Sequence, residues 1–362
     1  MVCLFWCVFF VVRLLVPPKD FVSSAEERRV GGTLVLFYLA AAILYTDHWL
    51  FFSGVRHPVC EWSYMIVNLL VYPLYYAYLR TLTRAKKSKE LLILLLPAVI
   101  VSVLPVVALV PRIGQWGGYF RLFARACFAL QVVYVWVQGY RLLKQARERM
   151  DNNYSDDRSH LLNPVNIVLH LFGGIALMSM VLNMLGREFF TGGLLVLIPA
   201  VLMSLLLYGL GFTAAHTYLP EETVPEEDKH SEGSESGAPQ ANRIAIIDEL
   251  MEREHLYLRP ELTIQELAVA AGTNRTYVSV AIHEAYDVNF ATYVNRFRVA
   301  SAKRILKDPT YKLDKEAISN AIALSGFTTE QTFYRVFKEM EGITPLQYRQ
   351  SECLGIKRSN NF

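Results

Sequence analysis

Seven apolar runs fill the first 215 residues of the chain, at 2–16, 33–53, 59–79, 91–110, 119–140, 161–185 and 192–212. Most approach the roughly 20 residues that a helix needs to cross a hydrocarbon core. No other feature restricts the fold so strongly, because backbone polar groups in lipid have to be satisfied within the protein, and for runs this long that means helices. The loops between the runs are short and leave no room for a soluble domain. Of the 362 residues, 53% are apolar and only 19% charged, and the mean hydropathy is +0.26. Residues 1–215 are therefore expected to form a polytopic transmembrane helix bundle of about seven spans. The first run is short, holds Arg13, and is followed by the cleavage-like Val22-Ser23-Ser24-Ala25. A signal peptide is one reading of it. A retained helix is the favoured one, because no positive segment precedes the run.

Lys and Arg alternate between the loops, and this bias sets orientation. Loops 17–32, 80–90 and 141–160 hold thirteen (Lys19, Arg28, Arg29; Arg80, Arg84, Lys86, Lys87, Lys89; Arg141, Lys144, Arg147, Arg149, Arg158). The alternate loops hold three, Arg56, Arg112 and Arg187. The N-terminus is then outside and the C-terminus in the cytoplasm. The expected location is the inner (cytoplasmic) membrane of a bacterial cell, with multiple passes.

Ionisable residues inside spans are costly and often mark sites. Asp47, His48, Glu61 and Arg125 fall at similar depth near the outer surface and are the candidate signal-sensing group. The bland alternative is that they snorkel to the interface or lock helix packing. No HExxH, GxSxG or paired-acid motif supports an enzyme. The five cysteines show no metal-ligand spacing, and four of them lie in apolar runs as small hydrophobes. No metal or cofactor is expected.

Composition changes sharply after residue 215. Within 221–235 there are seven acids and one Lys, too polar to fold alone, so 216–241 reads as an acidic flexible linker. Residues 242–362 carry 16 Lys and Arg against 15 Asp and Glu. The basic residues cluster, with Arg296, Arg298, Lys303, Arg304, Lys307 and Lys312 interrupted only by Asp308, a strip suited to phosphates.

This last segment repeats one helical pattern, at 264–282 and 318–336, offset by 54 positions so that Gly272 falls on Gly326. Amphipathic helix, glycine turn and second helix make a helix-turn-helix, whose second helix enters the DNA major groove. Thr263-x-x-Glu266 predicts a capping box for the first unit, and Thr328-x-x-Gln331 one for the second recognition helix. The first recognition helix is expected over about 275–286, with Tyr277, Val278 and Ile282 inward and Arg275, Thr276, Ser279 and His283 outward. The second is expected over about 329–340, with Phe333, Val336 and Phe337 inward and Thr329, Glu330, Thr332, Arg335 and Lys338 outward. Asn289 caps a connecting helix over 290–306, roughly 25 Å long. That length lets the two units sit in successive major grooves, about 34 Å apart. Arg296 and Lys303 on this helix are the candidate phosphate contacts.

On the stretches LAVAAGTNRTYVSVAI, NFATYVNRFRVASAKRIL and GFTTEQTFYRVFKEMEGITPLQYR, the C-terminal ~115 residues resemble the AraC/XylS-type DNA-binding domain. The resemblance implies two helix-turn-helix units on a linking helix and a transcription regulator. It implies nothing about the apolar half. One position departs from the pattern: Ile322 stands where the family and Ala268 of the first unit favour a small residue, with Ala321 and Ala323 beside it.

The expected protein is all-α, a transmembrane bundle followed by a C-terminal domain with two helix-turn-helix units over 242–362. It is read as a membrane-embedded, sequence-specific regulator coupling a signal at the membrane to promoter binding. Its expected partners are double-stranded operator DNA, the lipid bilayer, a second copy in a homodimer, and a small-molecule or membrane signal. The alternative is a membrane transporter or receptor whose cytoplasmic helical tail binds a protein. Cysteine labelling in a Cys-free background tests the topology. Outside reagent should reach position 117 in intact cells, and should not reach positions 86 or 147. Labelling at 86 from outside would break the seven-span scheme.

Overall fold

The computed structural model describes residues 1–16, 25–55, 57–86, 89–108, 117–156, 159–185, 194–216, 240–311 and 313–359. Among them no strand occurs. One isolated antiparallel bridge joins Tyr154 to Thr263. The chain divides into two compact units, Met1–Ala146 with Leu161–Pro220, and Arg147–His160 with Glu221–Phe362. Hydropathy alone leaves 147–160 in the apolar body, whereas the structure counts it with the C-terminal unit. The acidic linker at 216–241 falls almost wholly outside the described residues.

The helices on the apolar runs are α1 (Val2–Leu15), α2 (Ala25–Phe52), α3 (Pro58–Leu82), α4 (Glu90–Ala108), α5 (Gly117–Asn153), α6 (Asn163–Leu185) and α7 (Leu194–His216). In the first unit α2 packs on α1 and α3, α3 on α4, α6 on α7, and α1 on α7. An aromatic centre joins α2, α3 and α6: the Phe172 ring lies 4.5 Å from Tyr75 and 5.1 Å from Tyr72, and Phe37 lies 5.9 Å from Tyr75. The Tyr38 hydroxyl donates to the Leu207 carbonyl at 2.8 Å. Arg13 donates to the Ala215 carbonyl at 3.2 Å, near the end of α7, where the helix dipole favours positive charge. That contact gives the one charge in α1 a partner.

The outer face of α4 is apolar. Leu92, Ile93, Leu96, Val99, Ile100 and Val103 are all exposed, while Leu94, Ala98 and Val101 are buried. Two stretches are long and apolar enough to cross a membrane, Glu27–Phe52 and Leu122–Asn153. Val2–Leu15, Glu90–Val103, Asn163–Met178 and Ala200–His216 are apolar but shorter. In α3, five tyrosines (64, 72, 75, 76 and 78) lower the hydropathy. Two spans by this measure, against the seven expected, is the count among the described residues.

The second unit builds two cores along one helix. Its elements are α8 (Gln240–Glu252), a 3-10 turn (Leu256–Leu258), α9 (Ile264–Ala270), α10 (Arg275–Tyr286), α11 (Phe290–Lys307), α12 (Asp314–Leu324), α13 (Glu330–Glu341) and α14 (Pro345–Ser359). The first core takes Met251, Tyr257, Leu267, Ala268, Val278 and Ile282, with Phe290, Tyr293 and Val294 from α11. The second takes Ala317, Ala321, Phe333 and Phe337, with Val299, Ala302 and Leu306 from α11. Apolar burial of this kind, worth about 25 cal/mol per Å², holds each helix pair to its own half of α11. Asp248 docks α8 by accepting from the Tyr286 and Tyr293 hydroxyls, both at 2.6 Å.

Most expected caps are present. Thr263 and Glu266 form the reciprocal box at α9, and Asn289 accepts from the Thr292 amide at α11. Thr344 and Gln347 exchange bonds at the start of α14. The cap of α13 differs. Thr329 accepts from the Thr332 amide, because the Thr328 hydroxyl is committed to the Asp156 carboxylate at 2.6 Å. The departure at Ile322 also has an answer. Ala321 is fully buried, and Ile322 is half-buried against the same core. The Leu267–Ala268 order of the first unit becomes Ala321–Ile322 in the second, so the small residue allowing close crossing moves by one.

The paired glycines are not equivalent. Gly272 (φ +64°) needs its left-handed backbone but faces open space, whereas a Cβ on Gly326 (φ +82°) would meet the Tyr257 carbonyl oxygen at 2.5 Å and Leu258 Cα at 2.8 Å. Gly272→Ala is expected to cost about 1–2 kcal/mol for the left-handed conformation. Gly326→Ala adds overpacking against backbone, roughly 1–3 kcal/mol more. Thermal unfolding of the two variants should separate them in that order, and equal losses would contradict the packing described.

Candidate nucleic-acid interface

Two helix-turn-helix second helices are available to enter a groove, and the cores fix which faces they present. On α10, Val278, Ala281 and Ile282 are buried. Asn274 caps the helix by accepting from the Tyr277 amide at 3.0 Å. Thr276 and His283 are exposed, and Arg275 and Ser279 are half-buried. The His283 ring lies 3.8 Å from Asp287. Tyr277, expected inside, is 48% exposed, as is Val280 at 40%. With the stripe set by 278, 281 and 282, residue 277 is rotated about 100° off it. The outer face therefore carries an aromatic and an aliphatic side chain that polarity alone does not single out, of the kind that meets a thymine methyl.

On α13, Phe333, Val336 and Phe337 are buried, and Glu330, Arg335 and Lys338 are exposed. Arg335 pairs with Glu339 one turn on, at 3.1 Å. Such an exposed pair is worth little and yields readily to a better partner. Thr329 and Thr332 engage each other, hydroxyl to hydroxyl at 2.9 Å, so both serve the helix start. Glu330 lies in the first turn, where negative charge is favoured.

The basic strip on α11 is only partly a surface feature. Arg296, Lys303, Arg304 and Lys307 line a groove of ≈ 630 Å³ with Thr292, Met340 and Tyr348. Within it Lys303 pairs with Glu341 at 2.7 Å and Lys307 with Glu352 at 3.3 Å. Arg298, which the strip would place on the surface, is fully buried, for it lies on the opposite side of α11 from 296, 300, 303 and 307. Lys312 falls outside the described residues.

The residues of the resemblance motif mostly hold the fold. Phe327, Phe333, Phe337 and Tyr348 are buried in the second core. Arg349 is buried, donating to the Asp314 carboxylate at 2.9 Å and to the Leu306 carbonyl at 2.8 Å, which closes the end of α11.

Of the four sensing candidates, the structure describes the side chains of Asp47, His48 and Arg125. Asp47 is buried, and its Oδ2 has no hydrogen-bond partner. His48 is half-buried, with Nδ1 3.0 Å from the Leu44 carbonyl and its ring 5.1 Å from that of Tyr64. Arg125 is half-buried, and among the described residues no ion pair joins it to Asp47. The Glu61 side chain lies outside the described residues.

Residues 267–351 match the family described as "Helix-turn-helix domain". The chain is 31% identical over 94 residues to YisR of Bacillus subtilis, called an uncharacterized HTH-type transcriptional regulator, covering 26% of this chain and 31% of that protein. It is 30% identical over 107 residues to YtdP of the same organism, of the same description, covering 30% of this chain and 13% of that one. An HTH-type transcriptional regulator of Staphylococcus aureus is 28% identical over 103 residues, 28% of this chain and 13% of its own. The chain thus spans less than a third of the length of these relatives. No solved structure matches. The C-terminal region is a helix-turn-helix domain.

With duplex DNA as probe, Arg335→Ala is expected to weaken binding by about 1–3 kcal/mol and relax preference at one base position. Lys303→Ala should weaken all duplexes alike and flatten the salt dependence by about one unit. Equal, sequence-independent losses from both would make Arg335 a backbone contact only.

Proposed function

We propose that the chain is a membrane-embedded, one-component transcription regulator: the helix-turn-helix unit reads promoter DNA from the cytoplasmic side, and the helical unit of the first 215 residues senses a signal at or in the bilayer. The observation that carries the DNA reading is the pair of helix-turn-helix units sharing α11, each with its second helix presenting an outer face of polar residues, joined on α10 by Tyr277. The membrane reading rests on the apolar outer face of α4, which in water would be an adhesive patch, and on two stretches of spanning length and hydropathy. The seven-span count and the orientation belong to this proposal and follow from the Lys/Arg alternation. A second copy is the natural partner for a reader of paired half-sites.

Sensing is assigned first to Asp47 and His48. A buried carboxylate oxygen with no partner carries an unpaid desolvation cost, which a ligand donor would offset. Signal binding shifts the protein only by its differential affinity for two states. Electrophoretic shift with the purified full chain tests the DNA reading, and absence of salt-sensitive, sequence-preferring binding would favour the transporter or receptor whose tail binds a protein. The double variant Asp47→Asn, His48→Gln should insert normally and bind DNA in vitro, yet lose signal-dependent reporter output. Wild-type response from that variant would move the sensing site elsewhere.

A further inference from the structure

The second unit contains three residues that the helix-turn-helix pattern does not supply. Directly after α5 ends at Asn153, Tyr154 bridges to Thr263, and the Ser155 amide donates to the Leu262 carbonyl at 2.9 Å. Ser155 and Asp156 are both buried. The Asp156 carboxylate receives Arg298 at 3.3 Å on one oxygen and the Thr328 hydroxyl at 2.6 Å on the other. Arg298 has five N–H donors and all five directions are used. Nε goes to the Tyr257 carbonyl and Nη2 to the Arg259 carbonyl, both at 2.9 Å. Nη2 also reaches the Ser155 hydroxyl at 3.0 Å, and Nη1 reaches the Ser155 carbonyl at 3.4 Å and Asp156 at 3.3 Å. Three of the five bonds, and the only countercharge among the described residues, come from 155–156. These residues lie outside the matched segment 267–351.

The points of attachment span both reading heads. Leu262 and Thr263 open the first helix-turn-helix unit, Thr328 sits just before the cap of α13 in the second, and Arg298 lies on α11 where one core gives way to the other. We propose that Tyr154–Asp156 is a clasp that fixes the two helix-turn-helix units relative to each other, with Ser155 and Asp156 as positioning residues for DNA recognition. This rests on the regulator reading above. Two binding modules gain from each other only while their geometry allows both to engage. A clasp touching both therefore acts on paired half-sites and leaves a single half-site alone.

The test uses the full chain in lipid nanodiscs, with the native cysteines replaced. The probes are a two-half-site duplex selected from a random pool by the unmutated chain, and duplexes with one half-site. Asp156→Ala should lower affinity for the two-half-site duplex at least about tenfold while single-half-site binding stays within about twofold, as loss of simultaneous engagement requires. Unchanged two-half-site binding overturns the clasp. Should Asp156→Ala bind neither duplex, the pair Asp156→Cys, Thr328→Cys decides. Its oxidised form should bind the two-half-site duplex as the parent does and its reduced form should not. No gain on oxidation, or loss of binding on oxidation, overturns the proposal. A parent chain that selects no duplex sinks the regulator reading itself, a result distinct from a parent that binds and a variant that binds equally.

Discussion

Arg298 stands where the two cores of the second unit meet, and its charge has to be satisfied inside the protein. The side chain is fully buried. Burial pulls its pKa down, and the neighbouring Asp156 carboxylate opposes that pull. Removing one partner of a buried pair leaves an uncompensated charge and costs about 3–5 kcal/mol, yet the intact pair adds little over well-packed apolar residues. An apolar side chain at 298 alone would leave the buried Asp156 carboxylate without that pair. What the guanidinium adds is direction: its fork fixes the Tyr257–Arg259 turn, the 155–156 segment and α11 at set angles. Gly326 depends on the same arrangement, because the turn that accepts Nε is the one that leaves no room for a Cβ.

The division of labour in the helix-turn-helix region follows. Residues that make the motif conspicuous, such as Phe327, Phe333, Tyr348 and Arg349, are interior. They specify which helices pack and how α11 ends. The outer faces of α10 and α13 are free of that constraint. The match to relatives over 26–30% of the chain therefore speaks for the reading head and its fold, and much less for the sequence it reads.

Helices, caps and inner stripes of this region were legible because each depends on neighbours within a few residues. Thr263 with Glu266 and Asn289 with Thr292 are local bonds, and the 54-residue repeat exposes both units at once. What could not be read depends on contacts across more than a hundred positions. Nothing near Thr328 shows that its hydroxyl is taken by Asp156, so the cap moves to Thr329. Nothing in the basic run from 296 to 312 shows that Arg298 points inward, apart from its spacing from Val294 and Ala302. Tyr277 faces outward, and this is hidden for a different reason, since an aromatic counts as apolar in a periodicity even when the helix turns it out.

The covalent path of the chain differs from the way the second unit packs. By sequence alone the reader hangs from the acidic stretch at 216–241, and a flexible tether transmits concentration but no orientation. The second unit is built from two separate pieces of chain, however, and the earlier piece is the end and exit of α5. Arg298 and Thr328 hold Asp156 of the earlier piece, so the order of packing in this unit is not the order of the chain.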